Sequence, residues 1–118
     1  MRHCLALDLK DDPALIAEYE AYHRDVWPEV LSHLRAHGIR ELEIYRLGTR
    51  MVMLMETDDA VFEAAKMAAA ERANPRIAEW EALMWRFQAP TPWTPDGQKW
   101  TPMQQIFRLT DADHNAIP

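Results

Sequence analysis

Residues 50–56 read Arg-Met-Val-Met-Leu-Met-Glu, and this stretch decides how the chain folds. We predict that it forms a β-strand, in which successive side chains point to opposite faces of the sheet. Both faces are then apolar from Met51 to Met55. An antiparallel strand with one face in water would alternate apolar and polar residues. Both faces of this strand must therefore be covered, one by helices and the other by a second layer.

The chain is too short to supply that second layer easily. Its 118 residues fit one domain, and a hydrophobic content of 48% is enough for one core. We therefore predict a homodimer in which the sheets of two copies close against each other. The alternative is that the methionine side chains of this strand face an internal pocket of a single chain.

Strands and helices alternate on both sides of this stretch. The first half of the sequence predicts a strand at 2–9 and then a helix that opens at Asp11-Asp12-Pro13, kinks or restarts at Pro28 and ends at Gly38. Strands at 39–47 and 50–56 follow, and then a helix that is capped by Asp58 and Asp59 and restarts at Asn74-Pro75. The chain ends with an extended proline-rich loop at 88–102, a strand at 103–109 and a frayed tail from 110. This order predicts a single α+β domain over 1–118. Its fold class is a ferredoxin-like βαββαβ sandwich that forms a dimeric α/β barrel.

Composition excludes several classes of partner. A net charge of −6 and a pI near 5.3 argue against binding to nucleic acid or to an anionic membrane surface. The single cysteine, Cys4, excludes an internal disulfide and a cysteine-rich zinc site. The first residues reach Asp8 and Lys10 too soon for a signal peptide, and no apolar run is long enough to span a membrane. We therefore expect a cytoplasmic protein without nucleic-acid or membrane partners.

The stretch from residue 19 to residue 28, Tyr-Glu-Ala-Tyr-His-Arg-Asp-Val-Trp-Pro, carries the candidate chemistry. Tyr19, His23 and Trp27 are spaced by four residues, which places them on one face of a helix. An imidazole can move protons near neutral pH, while a phenol and an indole offer a hydrogen bond and an apolar wall. These side chains suit proton transfer on a small neutral molecule such as a sugar. The alternative is an ordinary apolar core face.

The same stretch resembles the L-rhamnose mutarotase family, a family of cofactor-free isomerases with a dimeric α/β-barrel fold. The resemblance rests on Tyr19-x-x-x-His23, on Trp27-Pro28-Glu29 and on His37-Gly38, and more weakly on Ile44-Tyr45 and Gln104-Gln105-Ile106-Phe107. It implies that His23 is the proton-transferring residue and that Tyr19 binds the sugar. It also implies substrate contacts by Trp27 and Tyr45.

Two positions depart from the rhamnose enzymes of that family. Those enzymes have a tyrosine where this chain has Leu42, and a tandem Trp-Trp where it has Glu79-Trp80. We expect Glu79 and Trp80 to contact the substrate, and the altered pocket makes a related 6-deoxy-sugar such as L-fucose a candidate beside L-rhamnose.

Mutarotation exchanges the α and β anomers of a free sugar, and one group that gives and accepts protons near pH 7 is enough for it. No cofactor is expected, and no metal either, since His33 and His37 at an i,i+4 spacing are a weak metal signal by themselves. Two alternatives remain open at this stage: a cofactor-free monooxygenase of the same dimeric-barrel architecture, and a non-enzymatic module that binds a small ligand.

Overall fold

The computed structural model describes residues 1–111, so the end of the predicted tail, at 112–118, lies outside the described residues. The elements are β1 (Arg2–Leu9), α1 (Pro13–His23), α2 (Pro28–Ala36), β2 (Ile39–Leu47), β3 (Arg50–Thr57), α3 (Ala64–Ala73), α4 (Pro75–Trp85), β4 (Gln88–Ala89) and β5 (Thr101–Pro102).

The sheet has the order β2-β3-β1-β4, and β5 pairs with the same edge of β1 as β4 does. All of these pairings are antiparallel. The strand predicted from residues 50–56 lies at the centre of the sheet, with Met53 opposite Leu5 on one side and opposite Ile44 on the other. The predicted ferredoxin-like α+β class is confirmed.

The boundaries of α1, α2 and α4 follow the capping and proline signals. The prediction that Asp58 and Asp59 cap the next helix is wrong, because α3 begins only at Ala64, after Glu63, which makes no side-chain cap. The Asp12 carboxylate accepts hydrogen bonds from the backbone N–H groups of Ala14 and Leu15 and so caps α1. Pro28 restarts the chain as the first residue of α2, as predicted. Trp27 is the N-cap residue of α2, so the prediction that it continues the face of α1 is wrong. The chain turns between the two helices, and Trp27 approaches from the second of them.

Strand β3 divides its side chains between two environments. Met51 and Met53 point to the face that packs under the helices, where they are 1% and 8% exposed. Met51 joins the buried cluster formed by residues of β1, α1, α2 and α4. Val52 and Leu54 alternate with these methionines and point to the other face, where Leu54 is 42% exposed. Within one chain that outer face is therefore apolar and incompletely covered.

The C-terminal strand was predicted at the wrong place. Gln88–Ala89 and Thr101–Pro102 pair with β1, inside the stretch predicted to be a loop, whereas 103–108 form no strand. Both short segments pair in register with the free edge of β1. Beyond Pro102 only the Met103 N–H reaches β1, at the Cys4 carbonyl, and Ile106 is 93% exposed.

Candidate active site

A cavity of about 530 Å³ opens between the helices and the inner face of the sheet. Its floor is apolar and comes from β2 and β3, with Leu42, Ile44, Met53 and Met55 among its lining residues. The alternative interpretation of the 50–56 strand is therefore supported, because Met53 and Met55 line a pocket, while the homodimer stays a prediction. Polar atoms enter the cavity mainly from the helices and from the start of β4.

Tyr19 and His23 meet in this cavity because they lie one turn apart at the end of α1. Their ring centroids are 4.3 Å apart. His23 Nδ1 lies 2.9 Å from the backbone carbonyl oxygen of Tyr19. Since a carbonyl oxygen only accepts hydrogen bonds, Nδ1 must carry the hydrogen. In the neutral imidazole, Nε2 is then the unprotonated nitrogen that can take up a proton.

Burial favours the neutral form of this imidazole. Burial lowers the pKa of His23 below its usual value near 6.5, and the hydrogen bond to the Tyr19 carbonyl opposes that shift only in part. The ring is therefore neutral near pH 7. It is a base in its resting state and becomes an acid only after it has accepted a proton.

The phenol beside it stays protonated. Burial raises the pKa of Tyr19, the hydrogen bond from Gln88 counteracts this, and the negative charge of Glu81 raises it further. Gln88 Nε2 donates to Tyr19 Oη at 3.1 Å, and both residues are buried. The hydroxyl therefore has one fixed neighbour and keeps its own hydrogen free to point elsewhere.

The two predicted tryptophans have different positions. Trp80 lines the cavity, with its ring 5.9 Å from that of His23. Trp27 packs against Trp80 at 5.0 Å, and the Arg76 guanidinium lies 3.6 Å from the centroid of its ring. Trp27 is not among the residues that line the cavity. It supports the wall formed by Trp80 from behind.

Tyr45 and Glu79 lie outside the cavity, contrary to the prediction that they contact the substrate. Tyr45 follows cavity-lining Ile44 on β2, so it points to the outer face, where it is 57% exposed and donates to Glu43 at 2.7 Å. The Glu79 side chain is 62% exposed and pairs with Arg76 at 3.3 Å. The residue next to Trp80 on α4 points about 100° away from it around the helix.

Among the cavity residues that were not predicted as site residues are Gln88, Glu81 and Trp100. Glu81 pairs with Lys99 at 3.3 Å, and this contact holds the proline-rich segment against α4 next to Trp100. The sequence offered one signal, a tryptophan inside a loop. A single glutamine or glutamate carries no spacing pattern from which its position could be found.

His33 and His37 have structural contacts. His33 Nε2 lies 3.4 Å from Glu71 Oε1, and the His33 and His37 rings are 4.8 Å apart. Over residues 1–111 there is no group of three or more histidine, cysteine or acidic side chains with the geometry to hold a metal ion. In the same range no helix combines the length and the apolar character needed to cross a bilayer.

Comparison with known proteins gives a consistent result. The family model for L-rhamnose mutarotase matches residues 2–109. An L-fucose mutarotase from Xanthomonas campestris pv. campestris is 52% identical over 113 residues, which cover 94% of this chain and 90% of that relative.

Two solved structures share the fold at low sequence identity. An L-rhamnose mutarotase from Formosa agariphila superposes with a TM-score of 0.66 at 17% identity, over 92% of this chain and 98% of its own. Tetracenomycin F2 cyclase, a type-II polyketide cyclase from Streptomyces glaucescens, superposes with a TM-score of 0.58 at 18% identity, over 92% and 97% of the two chains. Identities this low establish the fold alone.

Proposed function

Because the chain belongs to the L-rhamnose mutarotase family, we propose that it is an isomerase that interconverts the α and β anomers of a free 6-deoxy-L-hexose, with L-fucose as its preferred sugar. The observation that carries this proposal is the neutral, half-buried imidazole of His23 in a cavity with an apolar floor, with its Nδ1 hydrogen-bonded to the Tyr19 carbonyl. The fold by itself supports no particular reaction.

His23 moves the protons of this reaction. Its Nε2 accepts the proton of the C1 hydroxyl as the bond between C1 and the ring oxygen breaks, which gives the open-chain aldehyde. The imidazolium then gives this proton to the ring oxygen, which becomes a free hydroxyl, and the C1 carbonyl turns about the C1–C2 bond. As that hydroxyl attacks the opposite face of the aldehyde, Nε2 takes its proton and returns it to the carbonyl oxygen, which restores the neutral imidazole. Positioned acid–base catalysis of this kind is worth roughly 10²- to 10⁴-fold.

The cavity walls fit a 6-deoxy-sugar. Leu42, Ile44 and Met53 present an apolar floor to which the methyl group of such a sugar can pack. Tyr19 and Gln88 offer polar atoms on the opposite wall for its hydroxyl groups. Leu42 stands where rhamnose enzymes of the family have a phenol, and a site that lacks this hydroxyl no longer selects for its partner on the sugar. Together with the 52% identity to an L-fucose mutarotase, this supports L-fucose.

The proposal includes a cytoplasmic homodimer. The outer face of the sheet carries Ala6, Val52 and the exposed Leu54 side by side across β1 and β3. Apolar sheet faces of this kind are normally covered, and a second copy of the chain is the simplest cover. The single cysteine cannot form an internal disulfide, which is compatible with a reducing compartment. The monooxygenase and binding-module alternatives are not favoured, because the family match spans residues 2–109.

An anomer-exchange measurement tests the proposal. Saturation-transfer NMR would compare free L-fucose, L-rhamnose and D-glucose with and without the purified protein. We expect accelerated exchange, fastest for L-fucose, and a large loss of that acceleration in His23→Ala. If none of the three sugars exchanges faster with the protein than without it, the proposed function is wrong. Faster exchange of L-rhamnose than of L-fucose would retain the mutarotase and overturn its substrate preference.

A further inference from the structure

Gln88 is a buried amide at the edge of the proposed site. It is 5% exposed, it lines the cavity, and its backbone is held in register opposite Leu9 of β1. The preceding residue, Phe87, is 1% exposed and its carbonyl accepts from the Lys10 N–H, so the backbone on both sides of the amide is fixed by β1. A side chain anchored in this way can hold its partner in one orientation.

The partner of Gln88 is the Tyr19 hydroxyl. Gln88 Nε2 donates to Tyr19 Oη at 3.1 Å, across 69 positions of sequence. A phenol that accepts this bond has its own hydrogen left to donate, and in residues 1–111 no protein atom accepts it. Tyr19 lines the cavity, so that hydrogen is available to a molecule bound there. The amide thus decides which hydrogen-bonding role the phenol can offer.

We propose that Gln88 is a positioning residue that makes the Tyr19 hydroxyl an obligate hydrogen-bond donor to the ring oxygen of the bound sugar. The inference rests on the proposed mutarotase function. A sugar hydroxyl can donate or accept, whereas the ring oxygen only accepts. A phenol that is held as a donor is therefore matched to the ring oxygen, which can only accept. The ring oxygen is also the atom that must gain a proton as the ring opens.

This arrangement gives the site a donor side and an acceptor side. His23 Nε2 accepts the C1 proton, and the Tyr19 hydroxyl stabilises the negative charge that develops on the departing ring oxygen. The two rings are neighbours on α1, with centroids 4.3 Å apart, so both can approach the same end of a bound sugar. The bond from Gln88 also lowers the pKa of Tyr19 against the effect of burial, which strengthens the phenol as a donor.

Two nearly isosteric substitutions test whether Gln88 fixes the Tyr19 hydroxyl as a hydrogen-bond donor. Gln88→Met removes the amide, and Gln88→Glu replaces it with a carboxylate that accepts from the Tyr19 hydroxyl and turns its hydrogen away from the sugar. We expect each to slow the maximal exchange rate roughly two- to tenfold, with a smaller effect on KM, because the bond strengthens in the transition state. Circular dichroism and thermal melting confirm folding.

Tyr19→Phe supplies the control. In that background Gln88→Met should cause no further loss, because the amide acts only through the hydroxyl. If Gln88→Met slows Tyr19→Phe as much as it slows the wild type, or if both Gln88 variants exchange anomers at the wild-type rate, the proposal is overturned.

A second readout is independent of turnover. NMR of ¹³C-labelled tyrosine follows the titration of the Tyr19 phenol, and Gln88→Met should raise its pKa because the hydrogen bond that lowers it is gone. An unchanged titration shows that the amide does not control the phenol and overturns the inference. If the wild type does not accelerate anomer exchange but Gln88→Met shifts this titration as expected, the proposed function is wrong and the contact between Gln88 and Tyr19 still stands.

Discussion

Replacing His23 by alanine separates catalysis from folding. The substitution removes the hydrogen bond from Nδ1 to the Tyr19 carbonyl and the ring contacts with Tyr19 and Trp80. The hydrogen bond is worth about 0.5–1.5 kcal/mol net and each of the two ring contacts about as much, which together amount to roughly 1.5–4.5 kcal/mol. This is a fraction of the ~5–15 kcal/mol that stabilises a typical domain. His23→Ala should therefore fold.

The same substitution should reduce the rate of catalysis far more severely than it reduces stability. We expect at least a tenfold slower anomer exchange, up to the roughly 10²- to 10⁴-fold attributed to positioned acid–base groups. His3→Ala is a matched control, because His3 has a comparable hydrogen bond, to Thr57 Oγ1 at 3.1 Å, and a ring contact with Phe62, yet lies outside the cavity. Thermal melting should show similar destabilisation of both variants. Equal exchange rates in the two variants would refute the assignment of His23.

The pH dependence gives the same residue a second test. Because burial lowers the pKa of His23, the exchange rate should stay constant from neutral pH to below about 6.5 and fall only in more acidic solution. In the same window the unfolded chain, whose histidine keeps its ordinary pKa, binds more protons than the folded one. The contribution of His23 to stability is therefore lost as pH falls through about 6.5 towards the lowered pKa that His23 has in the folded state. A rate that already declines above pH 7 would contradict this reasoning.

Three further substitutions test assembly, backbone and specificity. Val52→Lys on the outer face should convert the proposed dimer to a monomer, as measured by light scattering, while the chain stays folded, whereas Met53→Lys, buried under the helices, should destabilise the fold itself. Gly38→Ala should lower the melting temperature more than Gly48→Ala: both glycines have positive φ, but a Cβ at Gly38 would lie 2.9 Å from Val61 Cβ whereas the one at Gly48 meets open space. Leu42→Tyr should shift the ratio of exchange rates from L-fucose towards L-rhamnose, and an unchanged ratio would remove Leu42 from the specificity argument.

The sequence was sufficient for the parts of the fold that depend on local pattern. Alternation of apolar residues identified β1, a continuous apolar run identified β3, and the prolines placed the restarts at Pro28 and Pro75. The C-terminal strand was misplaced because its pairing depends on which backbone segment reaches the free edge of β1. Two-residue strands such as Gln88–Ala89 have no periodicity to detect.

In the candidate site, too, the sequence predicted the contact that depends on local spacing but not the one between distant elements. The i,i+4 spacing predicted the contact of Tyr19 with His23, since both lie on α1. No spacing relates Tyr19 to Gln88, because their hydrogen bond joins a helix to a distant strand. Tyr45 shows the opposite error: its position matched the family, but the face of a strand on which a residue lies is decided by register, and Tyr45 is opposite outward-pointing Val52.

Strand β3 links the proposed assembly to the proposed chemistry. Met53 and Met55 line the cavity, and Val52 and Leu54 form the outer face directly behind them. In the proposed dimer the partner covers that outer face, which fixes the strand from behind and keeps the floor of the cavity in place. The polar groups of the site come from α1 and β4 instead, so the apolar floor and the proton-transfer groups rest on different elements. This separation explains why the doubly apolar pattern at 50–56 is required: one strand must satisfy a substrate pocket on one side and a protein surface on the other.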